Sequence, residues 1–99
     1  MVLSDPNVYL RLSLQRALLG NVTSNIRAVI AELSGKNINL HFYFEGEVGD
    51  DDEELVSVIE TEIIADFDED FTVDTIVQRL DSPQAIKNKN GLLVYLRKE

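Results

Sequence analysis

Residues Asp50 to Phe71 have the sequence DDDEELVSVIETEIIADFDEDF, and they carry the acidity of the whole chain. The stretch contains eleven carboxylates and no Lys, Arg or His, whereas the rest of the chain has nine basic and seven acidic residues. The net charge of −9 at pH 7 is therefore a property of one segment. We call Asp50–Phe71 the acidic segment, and we expect a partner to meet this part of the protein first.

The apolar residues of the acidic segment recur at the spacing of one helix face. Because an α-helix has about 3.6 residues per turn, positions separated by three or four fall within one arc. The spacing predicts an amphipathic helix of about four turns. Its apolar arc contains Leu55, Val56, Ile59, Ile63 and Phe67.

Both ends of this predicted helix are acidic, but helix electrostatics favours only the first. Residues 50–54 lie where free backbone N–H groups and the positive end of the dipole stabilise carboxylates by ~0.3–1 kcal/mol each. A second cluster lies at the negative end, which prefers Lys, Arg or His. Its Asp66 repels Glu62 four residues earlier, at a cost of ~0.2–0.5 kcal/mol. The members of this cluster are Asp66, Asp68, Glu69 and Asp70.

Asp66 is the least expected of these carboxylates, because on a helical wheel it falls between Leu55 and Ile59, inside the apolar arc. A functional demand becomes a reasonable explanation when a segment breaks several local rules without compensation. Two interpretations stay open. The second cluster binds a basic protein, or it is a solvated acidic corner that keeps a small protein soluble.

We therefore predict the partner-binding residues from the distribution of charge. The tail of the predicted helix comes first, two carboxylates of its first turn are secondary, and one aromatic residue serves as a possible anchor. The predicted contacts are Glu62, Asp66, Asp68, Glu69, Asp70, Asp51, Asp52 and Tyr43.

Length and composition predict a single domain over residues 1–99, in the cytoplasm and monomeric. The chain has no Cys, which favours a reducing compartment, and its N-terminus lacks the pattern of a signal peptide. No apolar run approaches the ~20 residues that a membrane helix needs. A pI near 4.4 disfavours nucleic acid and anionic membranes as partners and favours a basic protein.

The sequence carries no motif for catalysis or for a cofactor. Its five glycines form no phosphate-binding loop, and neither GxSxG nor HExxH occurs. His41 is the sole histidine, so it cannot complete a metal site or a catalytic triad. Residues 50–54 lack the spacing and the glycine of a calcium loop. We predict a protein that is not an enzyme and that needs no cofactor.

The first part of the chain predicts a helix followed by a hairpin. Asp5 and Pro6 are typical of a helix start and Gly20 of a position just past its end. The predicted apolar face of this helix is Val8, Leu12, Leu14, Leu18 and Leu19, with Arg11 and Arg16 outside.

Two β-rich runs, Asn25–Ser34 and Asn37–Glu45, flank Gly35-Lys36, which suits a type II′ turn. Pairing Ser34 with Asn37 fixes the register. The core face then pairs Leu33 with Ile38, Ala31 with Leu40, Val29 with Phe42 and Arg27 with Phe44. The outer face pairs Glu32 with Asn39, Ile30 with His41, Ala28 with Tyr43 and Ile26 with Glu45. This outer face is either the solvated back of the sheet or a partly dry contact surface.

Residues 72–80 and 91–98 predict two further strands. The chain is therefore expected to be α+β in the order α-β-β-α-β-β, with a four-stranded, mainly antiparallel sheet and both helices on one face.

Four segments resemble a known class of proteins: RLSLQRALLG (11–20), LHFYFEGE (40–47), ETEIIADF (60–67) and LLVYLRKE (92–99). Together they are similar to short, acidic bacterial immunity proteins of toxin systems such as contact-dependent growth inhibition. The resemblance implies a cytoplasmic protein that binds one cognate toxin and blocks its active site. Such toxins are often nucleases with cationic clefts. The resemblance identifies no inhibitory residue, so the predicted contacts rest on charge alone.

Two functions follow as predictions. The first is an immunity protein that neutralises a toxin through its acidic surface, and the family resemblance implies that this toxin is a nuclease. The second is a non-enzymatic homo-oligomer, structural or regulatory, that pairs through the outer sheet face or the last strand.

Overall fold

The computed structural model describes residues 5–87 and 91–99. It contains two helices and four strands, which follow one another in the predicted order. The elements are α1 (Pro6–Leu18), β1 (Ile26–Ser34), β2 (Asn37–Phe44), α2 (Asp50–Ala65), β3 (Thr72–Arg79) and β4 (Leu92–Leu96). The strands form one sheet in the order β3-β2-β1-β4. β1 is antiparallel to both of its neighbours, and β2 and β3 are parallel. The α+β prediction and the mainly antiparallel sheet are confirmed.

Both helices pack on the same face of the sheet, where they form the main core. The sheet contributes Val29, Leu40 and Phe42, and the helices contribute Leu14 and Ile59 among others. Each of these side chains is buried, which stabilises the fold by ~1.5–3 kcal/mol per large apolar residue. The predicted apolar arc of α2 is confirmed, although the helix ends at Ala65 and Phe67 reaches the core from the following turn.

The buried face of α1 differs from the prediction. Val8, Leu12 and Leu19 are exposed. The buried residues recur at intervals of one, three and four, as one helix face requires, but two of them are small or polar and therefore give a weak apolar signal. They are Leu10, Ser13, Leu14, Ala17 and Leu18. The predicted start is confirmed, since Asp5 caps the helix by accepting a hydrogen bond from the Asn7 backbone N–H at 2.9 Å.

The hairpin has the predicted register over seven pairs, from Ser34–Asn37 to Ala28–Tyr43. Gly35 has a φ of 60°, as the first central position of a type II′ turn requires. Directly after Ile26 the register shifts by a β-bulge, so that Ile26 and not Arg27 pairs with Phe44. The prediction that Arg27 lies on the core face was therefore wrong, and so was the outward placement of Ile26.

The outer face of the sheet has a second, smaller core. Ala28, Ile30 and Tyr43 are buried there, and Leu80 and Ile86 from the segment after β3 pack against them. The chain's own residues thus cover this part of the outer face and exclude water from it. Among the described residues, no helix is long and apolar enough to cross a membrane.

Candidate partner-binding surface

The acidic segment folds into α2 and the turn that leads to β3. Asp50 to Glu53 occupy the first helical turn, as the dipole argument predicts. One of these carboxylates also has a structural role: Asp52 accepts hydrogen bonds from the Gly49 backbone N–H at 3.0 Å and from Asn25 Nδ2 at 2.8 Å. It caps the helix and ties its start to the loop before β1.

Asp66 lies one residue beyond α2 and joins the two helices. Its Oδ2 accepts hydrogen bonds from Ser13 Oγ at 2.6 Å and from Arg16 Nη2 at 2.7 Å. Its backbone carbonyl accepts a further bond from the Tyr9 hydroxyl at 2.6 Å. The Ser13 hydroxyl, and then Arg16, hold the pKa of the Asp66 carboxyl below its usual value. A carboxylate can therefore lie inside the apolar arc because α1 provides donors at that point.

Asp70 also has a partner in this chain. It forms an ion pair with Lys36 at the hairpin tip, and this pair lowers the pKa of the Asp70 carboxyl. Both side chains remain more than half exposed, so the pair adds little to stability. The Lys36 ammonium also lies 5.8 Å from the centre of the Phe71 ring. The hairpin tip is thereby linked to residues 66–71 between α2 and β3, which we call the acidic turn.

The other carboxylates of the acidic segment lack a cationic partner among the described residues. Two of the eleven, Asp66 and Asp70, form ion pairs, and the remaining nine form none with any residue in 5–87 or 91–99. Of the predicted contacts, Asp51, Glu62, Asp68 and Glu69 are exposed and unpaired in this sense. The second acidic cluster thus combines two internally paired carboxylates with two that face solvent.

A groove of about 350 Å³ separates α1 from α2 beside this cluster. Small residues leave the space open, and the walls combine apolar surface with charged groups. It is lined by Ser13, Arg16, Ala17, Glu62, Ala65 and Asp66. Glu62 and Asp66 therefore meet on one wall of a concave surface, one unpaired and one held by Arg16.

Tyr43 lies apart from the other predicted contacts. It is 3% exposed and belongs to the outer-face core. One side of its ring stacks on His41, with centroids 4.2 Å apart and planes at 14°. A partner would reach Tyr43 only if the segment carrying Leu80 and Ile86 moved, so Tyr43 has no exposed ring to offer in this conformation.

The residues that hold the acidic cluster in place are not apparent from the sequence. Ser13 lies 53 residues from Asp66, and Lys36 lies 34 residues from Asp70. No local pattern links such distant positions. Within the described residues, no group of three His, Cys, Asp or Glu has the arrangement of a metal site. The chemistry that this surface offers is charge-assisted binding.

The sequence matches the MafI2 immunity protein family over residues 7–99. The chain belongs to this family. The resemblance to bacterial immunity proteins is thereby confirmed, and membership indicates that the partner is a toxin which the protein neutralises. Such families are generally non-enzymatic. None of the curated proteins matches the sequence significantly.

Proposed function

We propose that this immunity protein binds its toxin mainly through the unpaired carboxylates near the end of α2 and in the turn after it, and that the toxin is a nuclease. The observation that carries the proposal is the set of nine carboxylates that form no ion pair with a described residue. The main contacts are Glu62, Asp68 and Glu69. Asp51 and Asp52 are secondary, and Asp66 and Asp70 contribute their second oxygen or exchange partners on binding.

A nuclease is the toxin class whose chemistry fits this surface best. An enzyme that binds the phosphate chain of DNA or RNA needs a cationic cleft. Carboxylates spaced along a helix and the adjoining turn present negative charge to such a cleft, as phosphates do. The inhibitor then blocks the substrate site and acts where the nucleic acid is, in the cytoplasm. Tyr43 is left out of the proposed interface because its ring is covered.

Electrostatics sets the expected behaviour of this complex. Opposite potentials raise the association rate, and the effect falls as salt screens the charges. Charge pairs that become desolvated in an interface contribute ~1.5–7 kcal/mol of coupling energy each. The affinity should therefore depend on particular carboxylates and on ionic strength together.

The test compares two triple variants with the same change of charge. One, Glu62→Gln/Asp68→Asn/Glu69→Gln, removes three exposed carboxylates from the end of α2 and the turn after it, and we call it the tail variant. The matched control, Asp50→Asn/Glu53→Gln/Glu54→Gln, removes three exposed carboxylates at the first turn of α2. Binding to the purified toxin domain encoded beside the gene is measured by titration calorimetry at low and high salt.

We expect the tail variant to lose at least about tenfold in affinity at low salt, with a smaller difference at ~0.5 M salt. The control should change the affinity by less than about threefold. Equal losses in both variants would indicate general charge attraction and contradict a defined site. Unchanged binding of the tail variant would exclude the proposed surface. A toxin without activity on DNA or RNA would exclude the nuclease class.

A further inference from the structure

Two rows of side chains lie next to each other on the outer face of the sheet, away from both helices. Strand pairing aligns Ile30, His41 and Ile76 in one row across β1, β2 and β3. The next row, toward the hairpin tip, aligns Glu32, Asn39 and Asp74 in the same way. Successive residues of a strand alternate between faces, so both rows point to the side that carries no helix.

A depression of about 140 Å³ lies where the two rows meet. Its lining combines apolar surface with one carboxylate, because it is formed by Ile30, Glu32, Asn39, Leu40, His41 and Ile76. Ile76 is 56% exposed although it lies in the middle of a strand. Glu32 is half-buried and forms no ion pair with a described residue. Neither side chain has a clear role in the stability of this chain alone.

The end of the sheet around this depression is acidic. Asp74 adjoins Ile76 on β3, and the turn with Asp68 and Glu69 leads directly into that strand. Lys36 is the cation at the neighbouring hairpin tip, and Asp70 holds it in an ion pair. The depression therefore lies on the strand that the acidic turn enters, and the local charge favours a cation over a second copy of this acidic chain.

A lysine or arginine side chain matches both parts of the lining. Such residues pack their methylene stem on apolar surface and keep the charged end at a polar position. Here the stem would lie on Ile76 and Ile30, and the cationic end would reach Glu32. A purely apolar side chain would leave Glu32 desolvated and unpaired, which is unfavourable.

We propose that the outer-face depression receives a lysine or arginine side chain of the toxin, with Ile76 and Glu32 as its specific contacts. The interface then extends from the acidic turn over β3 onto the outer face. This inference rests on the proposed function and names a second part of the same interface, one that uses shape as well as charge.

The test uses two single variants, their double variant and two matched controls. Ile76→Ser and Glu32→Gln remove the two contacts. Leu93→Ser is the apolar control, because Leu93 pairs with Ile30 at the opposite end of the same row and is 48% exposed. Glu47→Gln is the charge control, an exposed carboxylate in the loop at the other end of β2. The probe is the purified toxin domain encoded beside the gene, in calorimetry at physiological salt.

Each contact variant should weaken binding by at least about fivefold, whereas each control should stay within about twofold of the wild type. The double variant should lose less than the product of the two single losses, since one toxin side chain touches both residues. Replacing that lysine or arginine in the toxin should remove the effect of Glu32→Gln. Circular dichroism and urea midpoints establish that the variants are folded.

The outcomes separate this inference from the proposed function. If the wild type binds and the tail variant is impaired, but Ile76→Ser and Glu32→Gln bind like the wild type, the depression is not a contact. An equal loss of affinity for Leu93→Ser would indicate that the whole outer face contacts the toxin, and it would contradict a specific pocket. Dissociation of a homodimer by Ile76→Ser would assign the depression to a second copy. If the wild type itself does not bind the toxin, both proposals fail.

Discussion

Asp66 illustrates how one residue can contradict local helix rules and still stabilise the fold. It lies at the negative end of α2 and inside the apolar arc, where neither the dipole nor burial favours a carboxylate. The donors from Ser13 and Arg16 compensate for both disadvantages. At this residue, the unfavourable local charge has a structural explanation, and the exposed carboxylates proposed to bind the toxin are Asp68, Glu69 and Glu62.

Replacing Asp66 with alanine should therefore reduce stability. The Ser13 hydroxyl, on a residue that is 1% exposed, would lose its acceptor, and Arg16 would lose its partner. We expect the free energy of unfolding to fall by about 1–3 kcal/mol, most of it from the buried hydroxyl because the Asp66 side chain is itself partly exposed. Asp68→Ala, two residues later and exposed, should change it by no more than about 0.5 kcal/mol.

Urea denaturation followed by circular dichroism measures both variants. The assignment of Asp66 to structure would be wrong if the two midpoints moved by the same amount, or if Asp66→Ala reduced toxin binding without any change in stability.

At the scale of the elements, a network of charged side chains connects several segments near the β-bulge of β1. Arg27, which is 2% exposed, donates from Nε and Nη2 to Glu99 at 2.7 and 2.8 Å and from Nη1 to the Leu80 carbonyl at 2.5 Å. Arg97 donates from Nη2 to Glu45 at 2.8 Å and to Glu99 at 3.0 Å. The bulge, the segment after β3 and the segment after β4 are thus joined.

This network predicts a defined acid dependence of stability. Arg27, and then Arg97, lower the pKa of the Glu99 carboxyl from 4.5 to about 2. A carboxyl group whose pKa is depressed by folding stabilises the protein above its unfolded pKa, and this contribution is lost as the pH falls through the folded pKa. The loss should therefore occur between pH 4.5 and about 2.

The variant Glu99→Gln tests this assignment. It should lower the urea midpoint at pH 7, because it leaves the buried Arg27 guanidinium without its anionic partner. The midpoint should then fall less than that of the wild type between pH 4.5 and 2, since the titrating group is missing. Parallel pH profiles for the two proteins would mean that Glu99 does not contribute to the acid dependence.

The elements that sequence predicts correctly here depend on neighbours along the chain. Asp5 and Pro6 start α1, and Gly35 fixes the turn and through it seven strand pairs. The errors depend on distant residues. Arg27 lies off the predicted core face, where it pairs with Glu99, 72 residues away in the sequence. The buried face of α1 differs from the prediction because it includes Ser13, a polar residue that donates a hydrogen bond to Asp66. The hydrophobic pattern does not reveal this bond.

The candidate site follows the same division. Its charge, and its place at the tail of α2, were predictable from composition and spacing. The internal pairing of Asp66 and Asp70 was not, nor was the cover that Leu80 and Ile86 place over Tyr43. The row that ends at Ile76 forms because β2 pairs with β3 in parallel. The sequence pattern of one strand does not predict which strand it pairs with.

At the scale of the whole molecule, paired and unpaired charges occupy different regions. Four of the six ion pairs of the described residues lie where elements meet: α1 with the end of α2, the hairpin tip with the acidic turn, and the strand ends around the bulge. The unpaired carboxylates cover the exposed side of α2 and the turn after it. This distribution leaves one strongly negative side, which suits a cationic partner and opposes self-association.

The oligomeric state tests that distribution directly. Two copies meeting through their acidic sides would bring like charges together, so we expect sedimentation equilibrium to give a monomer of 11.2 kDa at low salt. Salt screens this repulsion, and for that reason the decisive measurement is at ~0.5 M salt, where only contacts that do not depend on charge persist. A monomer there agrees with an inhibitor that pairs with its toxin. A dimer that persists, and that Leu93→Ser or Ile76→Ser dissociates, would show that the exposed apolar residues of the outer face serve a second copy, and it would favour the homo-oligomer over the proposed interface.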